Sequence, residues 1–212
     1  MLNDLPTLVW VANLVDLELH TFLHKAPAIA RPTALAFDPD PGSPCGYRGP
    51  LSSRAVAKNA FDAFGMQCFA KTSGSKELQV YVPLNTSLTY KRTKALAHAL
   101  AEFLERRFPD TVVSRMQKSL RTGKVLVDWS QNDDHKTTVN AYSLRAKQRP
   151  TVSTPVTWDE VAGTLKKGDS ALLTFEFEEV IERIAERDDL FAPVIELRQK
   201  LPPLETLKHL SA

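Results

Sequence analysis

The sequence predicts a mixed α+β fold, in which helices flank a central, mostly antiparallel sheet. Apolar residues recur at helical spacing in several segments, and short β-branched runs lie between those segments. Strands and helices do not alternate as regular βαβ units, which argues against a doubly wound fold. The chain has 212 residues, and we expect residues 1–212 to form a single domain.

The first part of the chain predicts two helices and three strands. Apolar residues at helical spacing over 5–15 predict a buried helix. A second helix is expected over 52–65, with Ser52 or Ser53 as its cap and Gly65 as its end. A short strand through 35–37 precedes a Pro/Gly-rich turn, and "MQCFAKTSGSKELQVYVPL" predicts two strands joined by a turn.

The remainder predicts four helices and two more strands. The clearest helix is "NTSLTYKRTKALAHALAEFLERRFP", residues 85–109, with one apolar face. Residues 124–131 predict a strand, and we expect 136–144 to pair with it. Three helices follow: one from a capping box at Thr157 and Glu160 to Gly168, and two near 177–187 and 193–200.

The composition excludes several classes of protein. Hydrophobic residues make up 43% and charged residues 25%, as in ordinary globular proteins. No apolar run approaches the ~20 residues that span a bilayer, and the N-terminus lacks the basic start of a signal peptide. Two cysteines are too few for a disulfide framework or a Cys-rich zinc site. We therefore expect a cytoplasmic protein with no membrane partner.

The net charge is only +2, but it is unevenly distributed. Residues 86–150 hold thirteen Lys/Arg against six Asp/Glu, whereas residues 151–212 hold seven against twelve. A basic centre on a nearly neutral protein indicates a locally bound polyanion. We expect Arg121 and Lys124 in this stretch to contact the backbone of that polyanion. The alternative is a solvated helix face.

The stretch "KTSGSKELQVYVPL", residues 71–84, places small hydrogen-bonding groups and a flexible cation before a β-branched run. Ser and Gly favour a turn on their own account. The second interpretation is a phosphate cradle, in which backbone N–H groups, hydroxyls and Lys76 bind the anion. The spacing Gly-x₄-Gly-Lys-Ser/Thr is absent, so this is not a Walker A loop.

Three aspartates predict a metal site. Asp38 and Asp40 alternate along a predicted strand and so share one side of it. Two neighbouring carboxylates repel unless they share a cation, and carboxylate oxygens suit Mg²⁺ or Mn²⁺. Asp128 ends an apolar run, where a buried carboxylate is costly unless it is paired or metal-bound. The alternatives are an Asx-turn at 38–40 and a strand-end cap at Asp128.

Six motifs occur in the order "ELH", "FDPDPG", "KTSGSKELQVYVPLN", "VLVDWSQND", "HKTTVNAYSLRA" and "RPTVSTPVTWDEV". Together they resemble the polymerase domain of bacterial DNA ligase D, a branch of the archaeo-eukaryotic primase superfamily. The resemblance runs from about Asp4 to "LPPL". It implies a primase-like fold and a nucleotidyltransferase that extends DNA 3′ ends or fills gaps during non-homologous end joining. It also implies a preference for ribonucleotides and ready use of Mn²⁺.

The resemblance implies a role for each matching residue. Asp38, Asp40 and Asp128 match the catalytic aspartates, which hold two Mn²⁺ or Mg²⁺ ions. Positions that match contacts to the nucleoside triphosphate are His20, Ser73, Ser75, Lys76, Lys136 and Arg145. By themselves, His20 suggests a core histidine and Arg145 an exposed strand-end charge. Implied partners are DNA ends or gapped duplex and Ku, to which we add a separately encoded ATP-dependent DNA ligase. This places the protein at the nucleoid.

The sequence departs from the family pattern in three ways. Pro39 stands where an apolar residue separates the aspartates, and proline requires a sheet edge or end at that point. Glu77 stands where the turn continues with glycine. Family members also carry a further N-terminal segment before the matched region. Glu77 and the N-terminal segment favour the alternative function, a catalytically impaired DNA-end-binding module that retains the fold, whereas the three retained aspartates argue against it.

Overall fold

The structure is a computed structural model that describes residues 4–41, 58–59, 61–75 and 77–203, with only the backbone of Asp40 and Pro41. The helices are Leu5–Asn13 (α1), Tyr90–Arg107 (α2), Trp158–Lys167 (α3), Phe177–Arg187 (α4) and Ala192–Glu196 (α5). The strands are His20–Phe22 (β1), Ala34–Pro41 (β2), Phe69–Thr72 (β3), Leu78–Pro83 (β4), Val112–Val113 (β5), Val125–Asp128 (β6), Thr137–Val139 (β7) and Pro155–Val156 (β8).

The predicted mixed α+β architecture with a mostly antiparallel sheet is confirmed. Six strands form one sheet in the order β5-β6-β2-β4-β3-β8, and β1 pairs with β7 separately. The β5–β6 pair is parallel, and the other pairs of these neighbouring strands are antiparallel. The predicted strand–turn–strand over 66–84 corresponds to β3 and β4.

Strand β2 has different partners along its two halves. Residues 34–37 pair with β4 on one side, and residues 38–41 pair with β6 on the other. Past Phe37, the pairing among the described strands lies on one side of β2, and proline is tolerated in a sheet where a backbone N–H is not needed for pairing. The side chain of Asn132 replaces the missing neighbour of Ala36: Ala36 N–H donates to Asn132 Oδ1 (3.0 Å), and Asn132 Nδ2 donates to Ala36 O (2.8 Å).

One face of the sheet packs against α2 and forms the main core. Its buried members come from alternate positions of β2 and β4 and from one stripe of α2: Leu35, Phe37, Val80, Val82, Leu96, Leu100 and Leu104. The opposite face carries Ala36 and Tyr81 in a smaller apolar cluster. The next positions on that opposite face are Asp38 and Gln79, so the polar residues begin where the smaller cluster ends.

Several predicted boundaries are confirmed. Helix α3 starts with the capping box, in which Glu160 N–H donates to Thr157 Oγ1 (3.2 Å) and Thr157 N–H donates to Glu160 Oε2 (2.8 Å). It ends at Gly168, whose φ is +72°. Helix α4 has the predicted bounds, but α5 ends at Glu196 because Leu197 turns into extended conformation. The serine caps expected at 52–53 lie outside the described residues.

Two predictions were wrong. The N-terminal helix forms, but no residue of α1 is buried, and Leu5 and Trp10 are 71% and 61% exposed. Helical periodicity shows which residues favour burial, but it does not supply the surface that covers them. The segment 136–144 was expected beside β6. Its strand β7 pairs with β1 instead, because a short 3₁₀ helix at Trp129–Gln131 carries the chain away from β6.

Within the described part of the chain, no helix is both long enough and apolar enough to cross a lipid bilayer.

Candidate active site

Four side chains form a row across neighbouring strands: Asp128, Asp38, Gln79 and Lys71. Register pairs Asp38 with Asp128 across β2 and β6, and Lys71 with Gln79 across β3 and β4. Gln79 lies beside Asp38, one step beyond the Phe37–Val80 pair, and its Nε2 donates to Asp38 Oδ2 at 3.0 Å. We call these four residues the polar row.

The donors of the polar row fit a divalent cation. Residues directly opposite in antiparallel strands have Cβ atoms about 4.5–5.5 Å apart, so the side chains of Asp38 and Asp128 leave the sheet from neighbouring positions on the same face. Such a pair repels unless a cation is shared, and oxygen donors are those that Mg²⁺ and Mn²⁺ prefer. Asp40 follows on β2 in register with Leu126, and its side chain lies outside the described part of the structure. Asp128 also accepts from Ser130 N–H (2.8 Å), as the strand-end interpretation expected.

Lys71 is the last residue of the polar row, and its side chain is a buried cation, only 1% exposed. Its Nζ donates to Gln79 Oε1 (2.6 Å) and to Ser153 Oγ (2.8 Å). Burial lowers the pKa of Lys71 to about 7, although the negative charge of Asp38 acts in the opposite direction. A lysine this deeply placed therefore depends on its acceptors and on the nearby carboxylate.

The turn after β3 is held by its carbonyl oxygens. Arg145 Nη1 donates to Ser73 O (2.6 Å), and Lys147 Nζ donates to Gly74 O (2.8 Å). The hydroxyl of Thr151 also donates to Gly74 O. In a trans peptide the C=O and the following N–H point in opposite directions. The N–H groups of Gly74 and Ser75 are therefore turned away from the cations, an arrangement that suits an anion.

Glu77 lies inside this turn. Ser73 Oγ donates to Glu77 Oε2 (2.9 Å), and Ser75 N–H donates weakly to Ser73 Oγ (3.3 Å). The carboxylate of Glu77 thus holds the hydroxyl that was predicted to bind a phosphate. Ser75 is exposed, and Lys76 lies outside the described residues.

Glu18 connects two predicted nucleotide-binding residues. His20 Nε2 lies 3.0 Å from Glu18 Oε1, and Arg145 Nε lies 3.1 Å from Glu18 Oε2. The hydrogen bonds from His20 and from Ala146 N–H, with the charge of Arg145, lower the pKa of Glu18 to about 2. The side chain of His20 is 42% exposed, so it is not a core histidine, and Arg145 is 20% exposed, so it is not a fully solvated charge.

Clefts lie beside the β1–β7 pair. One of about 630 Å³ is lined by Glu18, His20 and Asn140 among others. Another of about 440 Å³ is lined by Lys71 and Tyr81 among others. Both fall in the size range of small-molecule sites.

The remaining predicted residues lie apart from the polar row. Lys136 is exposed immediately before β7. Arg121 Nη2 donates to Met116 O (2.6 Å), and Lys124 Nζ donates to Pro109 O (2.6 Å). Both side chains therefore brace backbone carbonyls in the basic segment, in addition to any contact with DNA.

Sequence reasoning missed a second acidic group. Ligand atoms of Asp133, Asp134 and His135 lie within 4.8 Å of one another, so this acidic triplet is another place where a divalent cation could bind. Asp133 is ion-paired with Lys94, whose hydrogen bond lowers the pKa of Asp133 to about 2. The sequence signal is the consecutive "DDH" before β7.

Comparison with known proteins identifies the family. Residues 1–191 match the family model described as LigD, primase-polymerase domain. The chain belongs to this family. The predicted resemblance to the polymerase domain of DNA ligase D is thereby confirmed.

Individual members of the LigD primase-polymerase family are similar over most of this chain. The multifunctional non-homologous end joining protein LigD of Mycolicibacterium smegmatis is 36% identical over 200 residues, which are 92% of this chain and 25% of that protein. The bifunctional LigD of Bacillus subtilis is 30% identical over 183 residues, 86% of this chain and 29% of that protein. The chain thus spans about a quarter of the length of these relatives.

A solved structure, the polymerase domain from Mycobacterium tuberculosis ligase D in complex with DNA, superposes with a TM-score of 0.80. It is 36% identical, and the match covers 91% of this chain and 68% of that chain. The primase-like fold that the resemblance implied is confirmed by this match.

Gly74 provides a test of how tightly the turn is held. Its φ is +67°, and an added Cβ would lie 2.7 Å from Arg145 Cγ and 3.0 Å from the backbone carbon of Val152. Gly123 has nearly the same φ, +69°, with nothing within 4 Å. Gly123→Ala should cost about 1–2 kcal/mol for the left-handed backbone, and Gly74→Ala about 1–3 kcal/mol more for overpacking. Chemical denaturation measures both, and equal losses would contradict a tightly held turn.

Proposed function

We propose that the chain is a DNA-repair nucleotidyltransferase that adds nucleotides to DNA 3′ ends at gaps or double-strand breaks. The observation that carries the proposal is the register of Asp38 opposite Asp128 in a chain of the LigD primase-polymerase family. Relatives named for non-homologous end joining and a similar domain solved with DNA support the choice of substrate and process.

Asp38, Asp40 and Asp128 hold the divalent cations, Mn²⁺ or Mg²⁺. Two such ions, when bound, lower the pKa of the primer 3′-hydroxyl and offset the charge of the triphosphate. Strands β2 and β6 are hydrogen-bonded neighbours, so their carboxylates keep a fixed spacing. The polar row therefore determines where the hydroxyl and the nucleotide meet.

The turn at 73–76 binds the phosphates of the nucleoside triphosphate. Its N–H groups form the anion nest, and Ser73, Ser75 and Lys76 add hydroxyls and a cation. Arg145 supports the turn from behind through Ser73 O, so it acts chiefly by holding the nest in place.

Two further residues complete the nucleotide site. His20, held by Glu18, lines the cleft of about 630 Å³, which has room for a nucleoside. Lys136 neutralises charge on the nucleotide from the exposed segment before β7. Ribonucleotides are the preferred substrates, as the family resemblance implies.

The macromolecular partner is a DNA end or a gapped duplex, contacted by Arg121 and Lys124 of the basic segment 86–150. Ku and a separate ATP-dependent DNA ligase complete the joining reaction. The protein acts in the cytoplasm at the nucleoid. The names of the relatives, which refer to non-homologous end joining, support the process but do not name these partners.

A catalytically impaired DNA-end-binding module is the second candidate. Glu77 favours it, because its carboxylate takes the hydroxyl of Ser73 that a phosphate would need. The facing carboxylates of Asp38 and Asp128 favour the enzyme, because DNA binding alone does not need a costly carboxylate cluster.

Nucleotide incorporation on a primed, gapped duplex with Mn²⁺ separates the two candidates. We expect incorporation by the wild type, faster with ribonucleotides. Asp38→Asn and Asp128→Asn should reduce it to background, because each removes a metal ligand at constant size. The matched control Asp133→Asn alters the acidic triplet instead and should keep wild-type turnover. Near-wild-type turnover in folded Asp128→Asn would rule out the mechanism.

Glu77 should weaken nucleotide binding. Like charges about 6 Å apart repel by roughly 2–3 kcal/mol at an effective dielectric near 20, less when exposed, and Glu77 also occupies Ser73 Oγ. Glu77→Gly should therefore lower KM for nucleotide several-fold, with a smaller change in kcat. Glu77→Gln removes the charge without adding the backbone freedom of glycine, so it separates the two effects on KM. The test is a nucleotide titration at fixed Mn²⁺, and an unchanged KM in both variants would show that the carboxylate does not oppose the phosphates.

The basic segment should make DNA affinity salt-dependent. Each phosphate contact contributes about 0.9 to the slope of log K against log salt concentration. The double variant Arg121→Gln, Lys124→Gln should reduce this slope by about 2 and weaken binding equally on all sequences. Lys166→Gln, Lys167→Gln on exposed positions of α3 is the matched control. Fluorescence anisotropy measures the affinity, and an unaltered slope in the first variant would remove these two residues from the DNA interface.

A further inference from the structure

Gln79 places a neutral amide between a buried cation and a carboxylate of the candidate metal site. Lys71 Nζ lies 2.6 Å from Gln79 Oε1, and Gln79 Nε2 lies 3.0 Å from Asp38 Oδ2. Lys71 and Gln79 are register partners, and Gln79 and Asp38 lie side by side on the next pair of strands. The register of the sheet therefore sets the order of these contacts, from Lys71 through Gln79 to Asp38.

The orientation of the Gln79 amide is set chiefly by Lys71, whose contact with the amide oxygen is shorter than that of the Tyr81 hydroxyl at 3.2 Å. An ammonium group has donors and no acceptor, so the atom that it contacts is the amide oxygen. The amide nitrogen then faces Asp38, whose carboxylate accepts its hydrogen bond. A reversed amide would set N–H against the ammonium and C=O against the carboxylate, and both hydrogen bonds would be lost.

Lys71 is itself held from a second side. Ser153 Oγ donates its proton to Thr72 O (2.8 Å), so it offers Lys71 Nζ a lone pair at 2.8 Å. Ser153 is fully buried, and Lys71 is 1% exposed. The ammonium is therefore positioned by Ser153 and Gln79 together, one side chain removed from Asp38.

We propose that Lys71, acting through Gln79, is a positioning residue of the metal site. It fixes the amide that holds one oxygen of Asp38 and so orients the carboxylate toward the cation. The inference rests on the proposed function only in taking Asp38 as a metal ligand. A cation separated from Asp38 by an amide offsets part of the negative charge of the facing aspartates. A direct ion pair would instead occupy the place of the metal.

Two modes of action for Lys71 predict opposite changes in Mn²⁺ affinity when Lys71 is replaced by methionine. If Lys71 acts only as a nearby positive charge, it repels a metal ion, and Lys71→Met tightens Mn²⁺ binding. If it acts through Gln79, Lys71→Met releases the amide and weakens Mn²⁺ binding. The expected loss is about tenfold, the scale of substitutions behind a metal ligand.

Mn²⁺ binding to the full chain, without nucleotide or DNA, tests the proposal by the electron paramagnetic resonance signal of free Mn²⁺. All variants carry Asp133→Asn, so that binding at the acidic triplet is not counted. Asp38→Asn gives the Mn²⁺ affinity that is expected when the site has lost a ligand. Lys58→Met is the matched control, because Lys58 is also paired with an aspartate, Asp62, outside the polar row.

Lys71→Met and Gln79→Met should each raise the Kd for Mn²⁺ about tenfold. The double variant should bind no more weakly than Gln79→Met alone, because Lys71 acts through Gln79. Unchanged or tighter binding in Lys71→Met overturns the proposal. It is also overturned if the increase in Kd of the double variant equals the product of the two single increases.

Thermal melting shows whether Lys71→Met folds. If it does not, Gln79→Met is the deciding variant: unchanged affinity overturns the proposal and a tenfold loss supports it.

This readout separates the inference from the proposed function. A wild type that binds Mn²⁺ through Asp38 but incorporates no nucleotide would refute the enzyme and leave the role of Lys71 standing. An active wild type with unchanged affinity in Lys71→Met would refute only the role of Lys71. If Asp38→Asn binds Mn²⁺ as tightly as the wild type, Asp38 is not a ligand and the inference fails.

Discussion

The staggered pairing of β2 is the constraint on which the rest of the site depends. Its first half is bonded to β4 and its second half to β6, so Asp38 lies at the point of exchange with a neighbour on each side. That position gives the carboxylate a facing carboxylate from β6 and an amide donor from β4. The same stagger suits Pro39, since among the described strands β6 is the bonded neighbour there and β4 is not. The pairing of Asp38 with Asp128 and the hydrogen bond from Gln79 to Asp38 thus both follow from the staggered pairing of β2.

The segment 143–154 connects the two functional parts of this face. Arg145, Lys147 and Thr151 grip the carbonyls of the Ser73–Gly74 turn, while Ser153 accepts from Lys71 in the polar row. Lys71 lies on β3 and Ser73 directly follows its end, two residues later, about 7 Å along an extended chain. A shift of this segment would therefore move the Ser73–Gly74 turn and the support of Asp38 together. Such coupling suits the proposed site, in which a phosphate chain would be aligned with bound cations.

Local patterns were sufficient for most elements. Alternation along "FDPDPG" and the end of an apolar run made the aspartates candidates for the site, and turn chemistry did the same for Ser73 and its neighbours. Pairing between distant strands was not predictable, so β7 was assigned the wrong partner, and Lys71 and Gln79 received no role. Each is a single polar residue in an apolar strand. Such a residue indicates a place in the site only when the strand register is known. The exposed face of α1 was missed for a related reason, since periodicity does not identify the covering surface.

Asn132 has a consequence for the segment that follows it. Because its side-chain amide completes the hydrogen bonds of Ala36, no backbone from that segment is needed to close the ladder at that point. Residues 134–136 can therefore remain exposed to solvent without leaving a buried peptide group of β2 unsatisfied. A single buried amide is the boundary between the hydrogen-bonded sheet and the surface segment before β7.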